Sequence, residues 1–261
     1  MTTATTSRTK TEAFFEFLLR LADDRLILGH RLSEWCGHGP ILEEDIALAN
    51  VALDDIGHAA SLYEHAAEIE GEGRHRDDIV YFRNDVEYKN IKMVELPKGD
   101  FGFTIARQFL FSSYSYFLYE ALKDADDEQF SGMIKKHLKE IKYHLRHSRE
   151  WVFRLGDGTE ESRERIQKAF DELWTYTGEF FYTDEVDELL IKEDLATDPV
   201  EFKDQWKSLV VEVLEEATLE VPDFDQFMAE GGRNGRHTEH LGPLLAEMQH
   251  LRRSYPDAVW E

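Results

Sequence analysis

Asp55-Ile56-Gly57-His58 places a carboxylate and an imidazole three residues apart. On a helix that spacing stacks both groups on one face. Glu140 and His144 stand four apart within a second row at helical spacing, Met133, His137, Glu140, His144, His147 and Trp151. Rows of this kind on facing helices raise one specific chemistry, a carboxylate-bridged di-iron centre that binds oxygen. Such a centre needs one Glu from each of two helices and a Glu-x-x-His from each of the other two. The chain supplies pieces of that set. Asp24 and Glu34 are acids near the apolar face of a first helix. Between Phe101 and Tyr119, however, there is no Asp or Glu; Gln108 and Ser115 hold the mid-helix polar positions and Glu120 comes only at the end. One bridging carboxylate is missing, and the residue three after Glu140 is Tyr143. The residues therefore favour a polar seam, with Asp55 and His58 satisfying each other or backbone groups. A di-iron oxygenase or oxidase using Asp55, His58, Glu140 and His144 stands as the alternative.

Other chemistry is thinner. Cys36 has His38 nearby but no nucleophile signature, and it reads as a small buried thiol after a helix. His237-Thr238-Glu239-His240 has the wrong spacing for a zinc protease. Thr238 reads as the N-cap of a last helix. The preceding loop carries Arg233 and Arg236 among three glycines. With His237 it is either an anion or interface loop at a helix N-terminus or a tight turn with surface arginines. No Walker loop, dinucleotide fingerprint or nucleophile elbow is present.

The elements that would position these residues are helices, because apolar residues recur every three or four positions and strand alternation is almost absent. A first helix spans about Thr11 to Trp35, with Arg25 interrupting its stripe, and Cys36 to Pro40 stops it. A second spans about Ile41 to Glu70. It has one stripe of Ala49, Leu53, Ile56, Ala60, Tyr63 and Ala67 and another of Leu48, Val51, Leu62 and Ala66. Asn50, Asp54, Ser61, Glu64 and Glu68 make its polar face. Residues Gly71 to Gly99 read as a long crossover or docking surface. Helices three and four fit Phe101 to Lys123 and Asp126 to Leu155. A fifth runs from Thr159 to about Gly178, another covers Pro199 to Thr218, and the last covers Thr238 to Arg253. The expected core is a four-helix bundle with later helices packed around it. The two-sided apolar character of helix two and the aromatics of helix three exceed what one core needs, which marks an interaction site.

Composition agrees. The 261 residues are 42% hydrophobic and 12% aromatic, enough for a sizeable core. Thirty basic against 54 acidic residues give a formal charge of −24. That field repels phosphate backbones and anionic membranes, so neither nucleic acid nor membrane is an expected partner. A single cysteine excludes a disulfide framework within the chain and suits a reducing cytoplasm. Residues 1–10 read as a polar, disordered N-terminus without a signal-peptide core, ahead of one helical domain over 11–261.

Four stretches also carry a resemblance. Arg31-Leu-Ser-Glu-Trp-Cys-Gly-His38, Asp45-Ile-Ala-Leu-Ala-Asn50, Tyr143-His-Leu-Arg146 and His237-Thr-Glu-His-Leu-Gly-Pro-Leu-Leu-Ala-Glu-Met-Gln249 closely resemble the C subunits of ring-1,2-phenylacetyl-CoA epoxidases. These belong to the multicomponent oxygenases of bacterial phenylacetate degradation. The resemblance spans about residues 15 to 255, and its last motif is long and specific. It implies a ferritin-like all-α bundle with additional C-terminal helices. It also implies a structural subunit with no catalytic residue, metal or cofactor of its own, paired with a di-iron catalytic subunit of the same fold. A reductase subunit with flavin and an iron–sulfur cluster would supply electrons. Asp55, His58, Glu140 and His144 would then be a vestigial metal site, although Gln often stands at the His58 position in this family. A free-standing helical adaptor outside any redox complex is the remaining class.

Overall fold

Thr9 starts the first helix. Its hydroxyl accepts from the Glu12 backbone N–H at 3.2 Å, and the Glu12 carboxylate accepts from the Thr9 N–H at 2.8 Å. This reciprocal cap satisfies two donors that a helix start leaves free. In the computed structural model, which describes residues 8–258, α1 then covers Lys10–Ser33. The expected disordered segment lies outside the described residues up to position 7. A short turn leads to α2 (Leu42–Glu70), closed by Gly71 at a φ of 73°, the left-handed stop that glycine adopts without strain. The two helices approach closely at Gly29, where a Cβ would lie 2.8 Å from Ile56 Cγ1 and 3.1 Å from the Ala52 carbonyl.

The connection from 71 to 100 holds two short helices, α3 (Arg76–Tyr81) and α4 (Lys92–Glu95). It delivers the chain to α5 (Phe101–Leu122), and a tight turn leads to α6 (Glu128–Gly156). Trp35, just beyond α1, donates its indole N–H to Thr104 at the start of α5. Phe14, near the start of α1, meets Phe130 near the start of α6. So α5 runs against α1 and alongside α2, and the connection returns along the bundle as a long crossover. Among the described residues the architecture is an all-α helical bundle with no strand, and no helix is long and apolar enough to cross a membrane.

The remaining elements are α7 (Glu160–Trp174), α8 (Glu185–Ile191), α9 (Lys203–Glu216) and α10 (Leu241–Ser254). α7, α9 and the turns beside them cover α5, which is buried nearly all round, while α8 packs on α1 and α10 on α3. Phe170 meets Phe109 edge to face, Phe180 stacks on Tyr114 at 4.5 Å, and Trp206 donates to Ser113 at 2.9 Å. The aromatic surplus expected to face a partner is thus largely taken up by this chain's own later helices. Three further expectations are corrected. Cys36 is exposed, because the turn after α1 leaves the surface of the bundle. The last helix begins at Leu241, and the Thr238 N–H is held by the Glu95 carboxylate. Between Pro199 and Phe202 the chain is a 3₁₀ turn before α9 begins.

The most unusual packing lies on α1, where Arg20, Asp23, Asp24 and Arg25 are all buried. Arg20 reaches Asp184 and Asp187 at 2.6 and 2.9 Å. Asp23 accepts from Arg83 at 3.0 Å and from the Lys89 N–H at 2.7 Å. Asp24 receives both arms of Arg233, at 2.9 and 2.8 Å, and the Ile91 N–H. Arg25 donates to Asp55 at 2.9 Å. Removing one member of such a pair strands the other without water. Asp24→Ala should therefore lower unfolding free energy by about 3–5 kcal/mol in a denaturant titration. Glu212→Ala, which breaks an exposed contact to Arg149 at 3.4 Å, should change it by less than about 1 kcal/mol.

Candidate functional site

α2 and α6 lie side by side and antiparallel, so residues in rising order on α2 meet residues in falling order on α6. Glu44 accepts from His147 at 2.8 Å, Asp54 from His144 at 3.0 Å, and Ser61 Oγ from His137 at 3.0 Å. Between the last two, His58 donates to the Glu140 carboxylate at 2.5 Å. His58 also stacks on His137, with ring centroids 3.9 Å apart. In each of these contacts Nε2 is the bonded nitrogen. The Nδ1 atoms of His58, His137, His144 and His147 are buried with no partner.

Electrostatics keep two of these imidazoles neutral. Burial pushes the His58 pKa well below its ordinary value, and the neighbouring His137 and Arg25 push it further down. Burial, then Arg25, lowers His137 to about 3. Glu140 moves the other way, raised by burial and by the nearby Asp54. Placing charge in the interior is costly, and a like charge close by adds to that cost.

Asp55 does not join the seam. It turns to the other side of α2, fully buried, and meets Arg25. The guanidinium lies over the Phe111 and Tyr119 rings at 4.8 and 5.1 Å. The expected pairing of Asp55 with His58 is thus replaced by two separate pairings, Asp55 with Arg25 and His58 with Glu140. His144 goes to Asp54, a residue expected on the polar face of helix two. Arg25 is the group that sequence reading missed; its signal was a charge interrupting an apolar stripe.

These residues do not fit a carboxylate-bridged iron pair. The α1 side chain facing Asp55 is a guanidinium. The α1 acids are engaged elsewhere, Asp24 with Arg233 and Glu34 with Arg31 at the surface. α5 offers Gln108, Ser112 and Ser115, all neutral and buried. Among the described residues, no three of His, Cys, Asp and Glu are grouped so as to hold a metal ion.

The 231–238 loop is likewise turned inward. Arg233 is buried on Asp24, so its charge is not free for an external anion. The Gly232 N–H goes to Glu179 at 2.7 Å. His237 contacts the Glu95 carboxylate through Nδ1 at 2.9 Å and the Tyr88 carbonyl through Nε2 at 3.0 Å. Both acceptors require a proton on the ring, which suits an imidazolium. Burial works against that charge, but the Glu95 hydrogen bond and charge outweigh it, and the net His237 pKa is raised. Arg236 alone of the three candidates is exposed.

With the bundle and its seam described, comparison with known proteins gives the family. The family model for phenylacetic acid catabolic proteins matches residues 1–260, and the chain belongs to that family. A relative from Escherichia coli (strain K12), the C subunit of 1,2-phenylacetyl-CoA epoxidase, is 44% identical over 244 residues, covering 94% of this chain and 98% of the relative.

The two histidine environments predict opposite pH responses. His237 has a raised folded pKa. Its added stability is whole below the unfolded value near ~6.5 and is lost as pH rises through the folded value. For His137 the folded pKa is depressed. Stability is whole above ~6.5 and is lost as pH falls toward about 3, because the unfolded chain takes the proton first. Thermal melts of the parent, His237→Gln and His137→Gln across this range should show it. His237→Gln narrows its deficit as pH rises, and His137→Gln loses less stability than the parent on acidification.

Proposed function

We propose that this chain is the structural, non-catalytic subunit of a phenylacetyl-CoA 1,2-epoxidase, pairing with a di-iron catalytic subunit of the same ferritin-like fold. The Escherichia coli relative supports the complex. The observation that carries the non-catalytic part is the buried Arg25–Asp55 pair, at 2.9 Å where a metal would need carboxylates free to bind it. In this reading Asp55, His58, Glu140 and His144 hold helices together. Iron belongs to the catalytic subunit, flavin and an iron–sulfur cluster to the reductase subunit, and the chain is one ferritin-like domain working in the cytoplasm.

The surface offers a place for the partner. Leu42, Ile46 and Leu53 stand at helical spacing on the outer side of α2 and are 72, 53 and 66% exposed, with Ile41 beside them. The stripe expected to carry Leu53 is thus split, with Tyr63 buried and Ile56 packed against Gly29 of α1 while Leu53 faces outward. A leucine at that exposure has its side chain almost wholly in water, and several in one stripe mark a contact surface. Tyr143 of α6 stacks on His147, which binds Glu44 of α2, so it lies close to the same region. The acidic remainder of the surface would repel other acidic proteins and keep wrong partners away.

The test is a subunit-omission assay. Ring epoxidation of phenylacetyl-CoA, followed by mass spectrometry, should disappear when this chain is left out of a reconstituted mixture and return when it is added. Leu42→Glu with Leu53→Glu should abolish coelution with the catalytic subunit while moving the isolated chain's stability by no more than about 0.5 kcal/mol. Full epoxidation without this chain would defeat the proposal.

A further inference from the structure

Acids outnumber bases 54 to 30 along the chain, yet α6 reverses the balance. Between Glu128 and Gly156 it carries seven Lys and Arg against three Glu. We propose that the outer side of α6 is a docking surface for an acidic face of a partner protein, continuing the apolar stripe of α2 into one composite interface. The inference deepens the partner reading above and rests on it.

The cations of α6 fall into two sets. Toward α5 and α9 they are answered within the chain. Lys135 meets Asp124 at 3.1 Å, Lys142 meets Glu120 at 2.8 Å, and Arg149 meets Glu212 at 3.4 Å. Lys136, Lys139, Arg146 and Arg154 are exposed. Among the described residues none of these four reaches a carboxylate; the α6 ion pairs are those of the first set and of Glu140 with His58, His144 with Asp54 and His147 with Glu44. Steps of three, seven and eight residues put the four on one side of the helix. At 1.5 Å per residue they form a line about 27 Å long. In so acidic a chain, a line of unanswered cations is a field directed at charge from outside.

Two of the four are held ready for it. Arg146 lies over the Tyr143 ring at 5.6 Å and Arg154 over the Trp151 ring at 5.2 Å. Trp151 is itself fixed edge to face on Phe101 at 4.9 Å. A guanidinium resting on a ring keeps its N–H donors free at the edge of its plane and has less freedom to lose when a carboxylate arrives.

The line also borders the apolar stripe of α2. Lys136 stands close enough to the seam for its charge to act on His58, His137 and Glu140. Tyr143 is 39% exposed and stacks on His147, which binds Glu44 midway between Leu42 and Ile46. The two stripes therefore fit a protein that presents a row of carboxylates beside an apolar strip. A small anion on the outside of a helix would stay in water, where salt screens it. A nucleic acid or an anionic membrane would also meet the field of the whole chain, at −24. A protein with one acidic face is drawn to α6 and turned away from the rest of the surface, which fixes its orientation.

The test is the affinity of the full chain for the catalytic subunit, followed by surface plasmon resonance at about 50 mM and about 300 mM salt. At the lower salt, Lys139→Glu with Arg146→Glu should weaken binding by about 10-fold or more, chiefly through slower association. Lys139→Gln with Arg146→Gln removes the charges without reversing them and should weaken it less. Arg236→Glu, on the exposed part of the loop that covers α1, should stay within about 2-fold of the parent. Raising the salt should weaken the parent more than the reversed variant, since screening acts only on attraction that is present. A reversed variant that binds as tightly as the parent overturns the inference, as does a parent whose affinity is indifferent to salt. Parent binding to phosphatidylserine vesicles or single-stranded DNA that is lost on charge reversal assigns the line to another class of partner and overturns it too. Each of these results leaves the omission assay and the α2 stripe untouched, so the structural-subunit reading would stand. A parent that meets the catalytic subunit at neither salt overturns both.

Discussion

Arg20, Asp23, Asp24 and Arg25 sit within two turns of α1, and all four are buried. A charge in the protein interior costs several kcal/mol unless an opposite charge meets it in good geometry. α1 can therefore hold the middle of the bundle only when α2, the crossover, α8 and the loop after Gly231 are all in place. Each supplies the answering groups for particular positions on α1. Hydrophobic burial is non-directional and would tolerate sliding of the outer helices over the bundle. The ion pairs remove that freedom by fixing which segment covers which part of α1.

The same constraint explains what could be read from the sequence. The long helices were legible because apolar periodicity is a local signal, repeated over many turns. Their packing order was legible too, since short turns join α1 to α2 and α5 to α6 while a long connection separates the pairs. The burial of charge was not. Asp24 is separated from Arg233 by 209 positions and Arg20 from Asp187 by 167. Nothing in the neighbourhood of either residue announces its partner. Arg25 read as a break in an apolar stripe, and Arg233 read as a surface cation on a glycine-rich loop. α8 escaped notice because it is short and acidic, and its buried apolar residues, Val186 and Leu190, are too few to show a helical period.

The candidate site shows a related limit. Spacing correctly put Asp55, His58, Glu140 and His144 on neighbouring helices. Spacing alone could not say which side of α2 each would face. Asp55 and His58 are three residues apart and yet serve opposite neighbours, Arg25 on α1 and Glu140 on α6. The motif survives as a pattern while its two members do separate work. Family membership rests on similarity along the chain, and it tells nothing of that division; only the contacts do.

The distance in sequence between α1 and its partners also sets an order of events during synthesis. α1 leaves the ribosome early, and α2 follows soon after with Asp55 for Arg25. Arg233, the partner of Asp24, is made 209 residues after it, and domains build up from the N-terminus as the chain emerges. Until then Asp24 has no guanidinium, and the surrounding leucines cannot close over it without stranding its charge. The loop around Gly232 therefore brings Asp24 its guanidinium long after the rest of α1 has been made.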